Sequence, residues 1–230
     1  MNEELNILNL EARPLNLTKL NKLKHLSYLI IKRTFDIICS LFGLLILIPL
    51  ALVIKIIYIL NKDFNKIFYS QTRIGKNGKE FKMYKFRTMI PNADKVLEEL
   101  LEKDEKAKEE WNKNQKLDND PRITKIGKLL RKTSLDEVPQ FLSIFKNEMS
   151  LVGPRPLIPN ELDNHNGNHK IYEAVKPGIT GWWACNGRSA LDYKDRLELE
   201  YYYVQNRNLK LDIKCIYLTI AAVLNKKGAK

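Results

Sequence analysis

Cysteine is scarce in this chain, and so is any long apolar segment beyond the first. Cys39, Cys185 and Cys215 are three thiols among 230 residues. Their odd number and wide, irregular spacing exclude a disulfide framework and a cysteine-built metal site, and suit a reducing compartment, so the soluble part is expected in the cytoplasm. Acidic charge is also short: 27 Asp and Glu against 39 Lys and Arg leave a formal charge of +12. Such a balance draws the chain to anionic partners, whether lipid headgroups, sugar nucleotides or nucleic acid, without choosing among them. The first thirty residues have neither an apolar core nor a small-residue cleavage site, so no signal peptide is expected and residues 1–31 read as a polar extension. No break in composition asks for a second independent domain, and 44% hydrophobic content is enough for one sizeable core.

The one apolar run extends from Ile37 to Ile54. At 1.5 Å per helical residue it reaches about 27 Å, marginal for a bilayer core of about 30 Å. Lys19, Lys22, Lys24, Lys32 and Arg33 precede it, and Lys55, Lys62, Lys66 and Arg73 follow it. Basic residues on both flanks ask for both ends on the cytoplasmic side, which a simple span cannot satisfy. Pro49 lies inside the run and removes a helical hydrogen bond, so a segment kinked there, entering and leaving by one face, reconciles the charges. The membrane element is therefore placed at 32–60 as a re-entrant helix, with a single ordinary span and a buried soluble helix as alternatives.

Residues 61–230 then read as one further domain, the part expected to carry any catalytic site. Gly75 and Asn77-Gly78, set between short β-favouring pieces, predict a small β-hairpin with basic faces. Asn92 to Asn114, rich in Glu and Lys with Val96, Leu97, Leu100 and Leu101 at helical spacing, predicts a solvated amphipathic helix. Asp120-Pro121 punctuates the chain before a basic stretch. Near the end, Cys215 to Leu224 is uncharged, too short to span, and framed by Lys210, Lys214, Lys226 and Lys227, which suits an amphipathic helix at the headgroup boundary. The expected fold class is α+β, mainly helical.

Val138, Phe141, Leu142 and Phe145 recur at i, i+3, i+4 and i+7, which puts the adjacent carboxylates Asp136 and Glu137 at the start of an amphipathic helix. A helix start offers unpaired N–H groups that hold a carboxylate ionised and favour nearby phosphate. Ser134-Leu135-Asp136-Glu137 also fits a capping box, but a cap at Asp136 leaves Pro139 in the free first turn, where its missing N–H costs nothing. In SLVGPRPLIP two prolines stiffen the backbone around Arg155, whose planar fork suits phosphate oxygens; an incidental surface arginine on a turn is the plainer alternative. Pro177-Gly178, Gly181 and Asn186-Gly187 make a loop with exposed backbone beside Trp182, Trp183 and Arg188 that either holds a nucleotide or turns a corner. His165 and His169 have i, i+4 spacing, but their Asn- and Gly-rich setting predicts a polar loop rather than a metal site.

Four motifs in order then carry a specific resemblance: KFRTM at Lys85 to Met89, DPRITKIGKLLRKTSLDEVPQ at Asp120 to Gln140, MSLVGPRP at Met149 to Pro156, and KPGITGWWACNGR at Lys176 to Arg188. With the N-terminal anchor they resemble the bacterial sugar transferases, the monotopic phosphoglycosyl transferases, from about Lys32 to Leu224. The resemblance implies transfer of a sugar 1-phosphate from a UDP-sugar to polyprenyl (undecaprenyl) phosphate with Mg²⁺, releasing UMP and beginning a membrane-bound glycan. It implies a re-entrant anchor, a catalytic domain on the cytoplasmic face of a bacterial inner membrane, contact with anionic lipids, no nucleic-acid partner, and room for a homodimer.

Carried across residue by residue, the resemblance implies Asp136 as covalent nucleophile and Glu137 as its metal-linked or orienting partner, both serving Mg²⁺. Arg155 and Arg131 fall on positions expected to contact phosphates, Arg188 on one at the nucleotide end, with Lys85 and Arg87 as further candidates. The chain departs from the pattern at Ala184, where Gln is frequent, at Glu200, where Asp is frequent and a carboxylate could still bind or orient, and at Ile48 before Pro49, where some members carry serine. A carboxylate can attack the β-phosphorus of a UDP-sugar when neighbouring positive charge neutralises the phosphate oxygens. Direct transfer without a covalent intermediate, and a non-catalytic basic membrane scaffold, are the alternatives; the scaffold accounts for the charge but not for the ordered motifs.

Overall fold

The computed structural model describes residues 19–114, 117, 119–186 and 192–224. Its first element, helix α1 (Lys19–Leu60), is 42 residues long and runs without interruption through Pro49. At 1.5 Å per residue it reaches roughly 63 Å. The helix begins at Lys19, inside the stretch expected as a polar extension, and among the described residues it is the one helix long and apolar enough to cross a membrane. Leu41, Phe42, Leu45, Ile46, Ile48 and Leu52 face outward along it, uncovered by protein.

The opposite side of α1 is fastened to the rest of the chain at three levels. Before the apolar run, Lys32 Nζ donates to Val152 O (2.9 Å) and pairs with Asp212 (2.8 Å), Arg33 donates to the carbonyls of Ile144 and Phe145, and the buried Asp36 accepts from Ser150 Oγ and Leu151 N–H. In the middle, Gly43 lies under the Phe141 ring, where a Cβ would approach Cγ to 2.2 Å. After the run, Ile54 and Tyr58 join Phe86 and Leu130 in one buried cluster. Each such buried apolar side chain contributes about 1.5–3 kcal/mol. Polar bonds hold the first end and apolar packing the last.

The predicted hairpin is present: β1 (Phe68–Ile74) and β2 (Glu80–Phe86) pair antiparallel from Phe68↔Phe86 to Ile74↔Glu80. Asn77 and Gly78 turn the chain at φ 59° and 73°, the left-handed region that an Asn-Gly pair tolerates. The single helix expected from Asn92 to Asn114 is instead two, α2 (Ala93–Lys103) and α3 (Glu105–Asn114). Asp104 breaks it, because its backbone is extended and its Oδ1 accepts from Lys106 and Ala107 N–H, starting a new helix.

Helix α4 (Lys125–Thr133) follows, capped by Thr124 at its start and by Ser134 at its end. With φ 57°, Ser134 closes α4 and makes no side-chain cap to what comes next, so neither the capping box nor the cap at Asp136 forms. A 3-10 turn over Leu135–Gln140 leads instead into a short α5 (Phe141–Phe145). The turn's i→i+3 bonds accommodate Pro139, which lacks an N–H.

Two segments read from sequence as loops pair as a small parallel sheet, β3 (Ser150–Val152) with β4 (Gly178–Thr180). Between them lies α6 (His169–Tyr172), and after them α7 (Trp182–Cys185), α8 (Tyr193–Asn206) and α9 (Leu209–Leu224). On α9 the buried Asp212 and Cys215 face inward while Leu209, Ile213, Tyr217 and Ile220 form an exposed apolar stripe. The architecture is mainly helical with two small two-stranded sheets; the sequence pattern anticipated the helical character and the hairpin, not the parallel pair.

Candidate active site

The 3-10 turn sets Asp136 and Glu137 between the hairpin, α4 and the membrane-length helix. Lys85, on β2, bridges the two carboxylates: its Nζ is 2.7 Å from Glu137 Oε1 and 4.0 Å from Asp136 Oδ2. Asp136 is buried, and burial is the main cause that raises its carboxyl above the ordinary range; Lys85 and Arg131 oppose the rise, while Glu137 adds to it. Arg131, on α4, is aimed by its Nε–H donating to Thr88 Oγ1 (3.0 Å). Burial lowers the Arg131 pKa, and Asp136 followed by Asp120 pull it back.

Asp120 and Arg122, to which the sequence reading gave no role, form a buried fork-to-fork pair at 2.8 and 2.7 Å, with the Arg122 guanidinium 5.2 Å from the Trp111 ring. The DPR spacing is the signal: an i, i+2 acid and arginine around a proline close a local ring. Arg87 is fully engaged in holding structure together. It donates to the Lys66 and Met89 carbonyls, pairs with Asp63 at 2.6 Å and lies over the Tyr58 ring. Tyr58 in turn donates to the Arg87 carbonyl.

Arg155 lies away from Lys85, on the loop after β3. Its guanidinium is 5.6 Å from the Trp183 ring. The loop backbone is clasped from beneath: Glu200 Oε1 accepts Arg155 N–H (2.9 Å), and Tyr172 donates to Arg155 O (2.8 Å). Glu200 is completely buried, and burial pushes its carboxyl up to about 8 against the pull of Arg155 and Arg196. It therefore reaches the Arg155 backbone and not the solvent. Arg188 lies outside the described residues, while Ala184 sits within α7. His169 is bridged by Asp163 (2.8 Å) and Glu173 (2.7 Å), and His165 stacks on Tyr193.

No cluster of three or more His, Cys, Asp or Glu suited to a metal occurs among the described residues, so the Mg²⁺ expected from the resemblance would have Asp136 and Glu137 as its protein donors. Two hard carboxylates fit this ion, which usually takes one or two from protein and completes its shell with water and substrate phosphate.

The described residues thus bring together a helix of membrane length, a buried carboxylate with cations around it and an arginine on a braced loop. The bacterial sugar transferase profile matches residues 27–226, and the chain belongs to that family. It is 46% identical over 209 residues to an uncharacterized sugar transferase of Haemophilus influenzae, an alignment covering 91% of this chain and 44% of the relative. It is 44% identical over 209 residues to the undecaprenyl-phosphate galactose phosphotransferase of Salmonella typhimurium, with coverage of 91% and 44%. With the exopolysaccharide production protein ExoY of Sinorhizobium fredii it shares 42% identity over 198 residues, covering 86% of this chain and 87% of that protein. The chain spans about half the length of the first two of these relatives.

Proposed function

We propose that this chain transfers a sugar 1-phosphate from a UDP-sugar to undecaprenyl phosphate, releasing UMP and starting a membrane-bound glycan. The carrying observation is Asp136, buried beside Lys85 and Arg131 on a turn that packs against a membrane-length helix. Family membership and the galactose phosphotransferase of Salmonella typhimurium support the reaction class.

In the proposed first step an Asp136 carboxylate oxygen bonds to the β-phosphorus, the bond from that phosphorus to the bridging oxygen breaks, and UMP leaves. In the second, an oxygen of the lipid phosphate bonds to the same phosphorus and the aspartyl bond breaks, regenerating Asp136 and giving lipid diphospho-sugar. Lys85 holds Glu137 and favours the ionised form of Asp136, opposing the desolvation that favours its neutral form. Arg131 and Arg155 would meet phosphate oxygens, and Glu200 keeps the Arg155 backbone in place. Asp136 and Glu137 would hold Mg²⁺, which when bound would supply neutralisation of phosphate charge.

The anchor is proposed to be monotopic. Asp36 before the apolar run and Tyr58 after it are both bonded to one domain, over about 33 Å of helix, so a crossing would divide that domain's partners between two sides of the bilayer. The exposed stripe of α9 would rest at the same headgroup level, on the cytoplasmic face of a bacterial inner membrane.

The test is UMP release by detergent-solubilised protein given undecaprenyl phosphate, Mg²⁺ and a panel of UDP-sugars, with Asp136→Asn alongside. Lipid-dependent release that falls by at least about 10³-fold in the variant is expected, as is a radiolabelled sugar-phosphate adduct on wild type without lipid. Turnover without any adduct would favour direct transfer, with Asp136 as metal ligand or base.

A further inference from the structure

Arg73 is a half-buried charge for which the site described above has no use. It stands on β1, and its register partner Phe81 places it on the hairpin face that carries Gln71 and, across the ladder, Met83 and Lys85. Nη1 donates to Pro156 O (2.9 Å) and Nη2 to Gln71 Oε1 (2.6 Å), while Nε is shielded from solvent and has no partner.

No carboxylate lies within ion-pair distance of Arg73 among the described residues, and none lies so near Arg155, whose Nε is likewise buried without a partner. The two arginines are neighbours, because Pro156, which Arg73 grips, follows Arg155 directly; after burial, the Arg155 charge is the largest influence lowering the Arg73 pKa. The acids nearby are committed. Glu161 takes Arg196 at 3.0 Å on one oxygen and Ile158 N–H on the other, and Glu200 holds the Arg155 backbone.

A half-buried guanidinium with a shielded, unpartnered Nε and no counter-ion is costly, and a strut to one carbonyl would need only a neutral donor. Two such guanidinia, close enough that the charge of one depresses the pKa of the other, repel one another unless an anion joins them.

We propose that Arg73 and Arg155 form a two-guanidinium cradle for a phosphate group of the substrate, with Gln71 fixing the Arg73 fork. This rests on the transferase reading and adds a phosphate-binding residue to it. The ligand chemistry is a phosphate mono- or diester oxyanion, which either the nucleotide or the lipid phosphate supplies.

The experiment compares full-length wild type, Arg73→Met and Arg73→Lys in detergent. It measures calorimetric affinity for UMP, for farnesyl phosphate and for inorganic pyrophosphate, together with Tm. Arg73→Met is expected to hold Tm within about 3 °C of wild type, or raise it, because it removes an uncompensated charge. It should weaken at least one phosphate ligand tenfold or more, and Arg73→Lys should recover part of that affinity. The arm that weakens, UMP or farnesyl phosphate, identifies the source.

Unchanged affinities overturn the cradle, whatever happens to Tm, and so does failure of Arg73→Met to fold. If Arg73→Met loses both Tm and affinity, the cradle stands only where Arg73→Lys restores affinity with Tm still low. Wild type that binds pyrophosphate but neither organic phosphate keeps the cradle and overturns the transferase reading. Wild type that binds none of the three overturns both.

Discussion

Lys85 and Arg73 stand on one face of the hairpin, about 13 Å apart along the strands, and meet different company. At the Lys85 end the charges answer one another: its ammonium touches Glu137 and approaches Asp136, with Arg131 behind. At the Arg73 end neither guanidinium has a carboxylate within ion-pair distance among the described residues; Glu161 acts on Arg73 only at longer range, and Glu200, buried with one oxygen unpartnered, holds the Arg155 backbone. The first arrangement is set before substrate arrives, with Lys85 opposing the burial that raises the pKa of Asp136, the carboxylate proposed above as nucleophile. The second is incomplete without an anion. A substrate carrying phosphate at one end would complete the open site while its reacting phosphorus met the closed one.

Removing Lys85 should break the closed end most severely. Lys85→Met is expected to slow UMP release by about 10²–10³-fold, in line with deleting one preorganised charge from a reacting centre. Because Lys85 lowers the Asp136 pKa, its loss should also move the acid limb of the pH–rate profile upward. A rate within twofold of wild type and an unmoved limb would mean that Lys85 only packs.

A milder change sharpens the open end. Burial lifts Glu200 to about 8 from the usual 4.5, so the folded chain keeps a proton that the unfolded chain gives up. Its contribution to stability is complete below about pH 4.5 and is lost as pH rises through about 8. Glu200→Gln still accepts the Arg155 N–H and cannot ionise. Its Tm should exceed that of wild type by roughly 3–8 °C at pH 8.5, with the gap closing towards pH 5. Thermal melts at both pH values decide it: a gap independent of pH would show that ionisation at Glu200 is not what differs.

The two ends were unequally legible in the sequence. Asn77-Gly78 fixes a hairpin because few other pairs tolerate two left-handed residues, and the apolar run of α1 declares a helix by its length. The adjacency of Asp136 and Glu137 was plain, but Lys85 lies more than fifty positions upstream, and only the β2 contact with the 3-10 turn brings it to them. The Ser134 capping box failed because a residue closing one helix in the left-handed region cannot also start the next. The β3–β4 pairing was illegible, since three-residue strands are too short for alternation to register and their parallel register depends on everything between them. Glu200 was legible as a carboxylate that could bind or orient, and Arg73 only as a basic flank of the apolar run; that both lose solvent was not legible, because burial of a charge is decided by neighbours remote in sequence.

The smallest effect lies behind the open end, on α6, which also carries Tyr172. Hydrogen bonds that the imidazole donates to Glu173 and then to Asp163 raise the His169 pKa, so its stabilising charge is fully present below about pH 6.5 and fades as pH climbs through the raised value. The imidazole is largely exposed, which limits the effect through solvent screening. His169→Gln should lower Tm by about 2 °C at pH 6 and by nothing resolvable at pH 9. UMP release should stay unchanged, because Tyr172 reaches Arg155 through a buried hydroxyl that does not depend on that ion pair. A loss of turnover that tracked the pH dependence of Tm would tie the Arg155 loop to this surface, and the open end of the hairpin would then extend to the back of the domain.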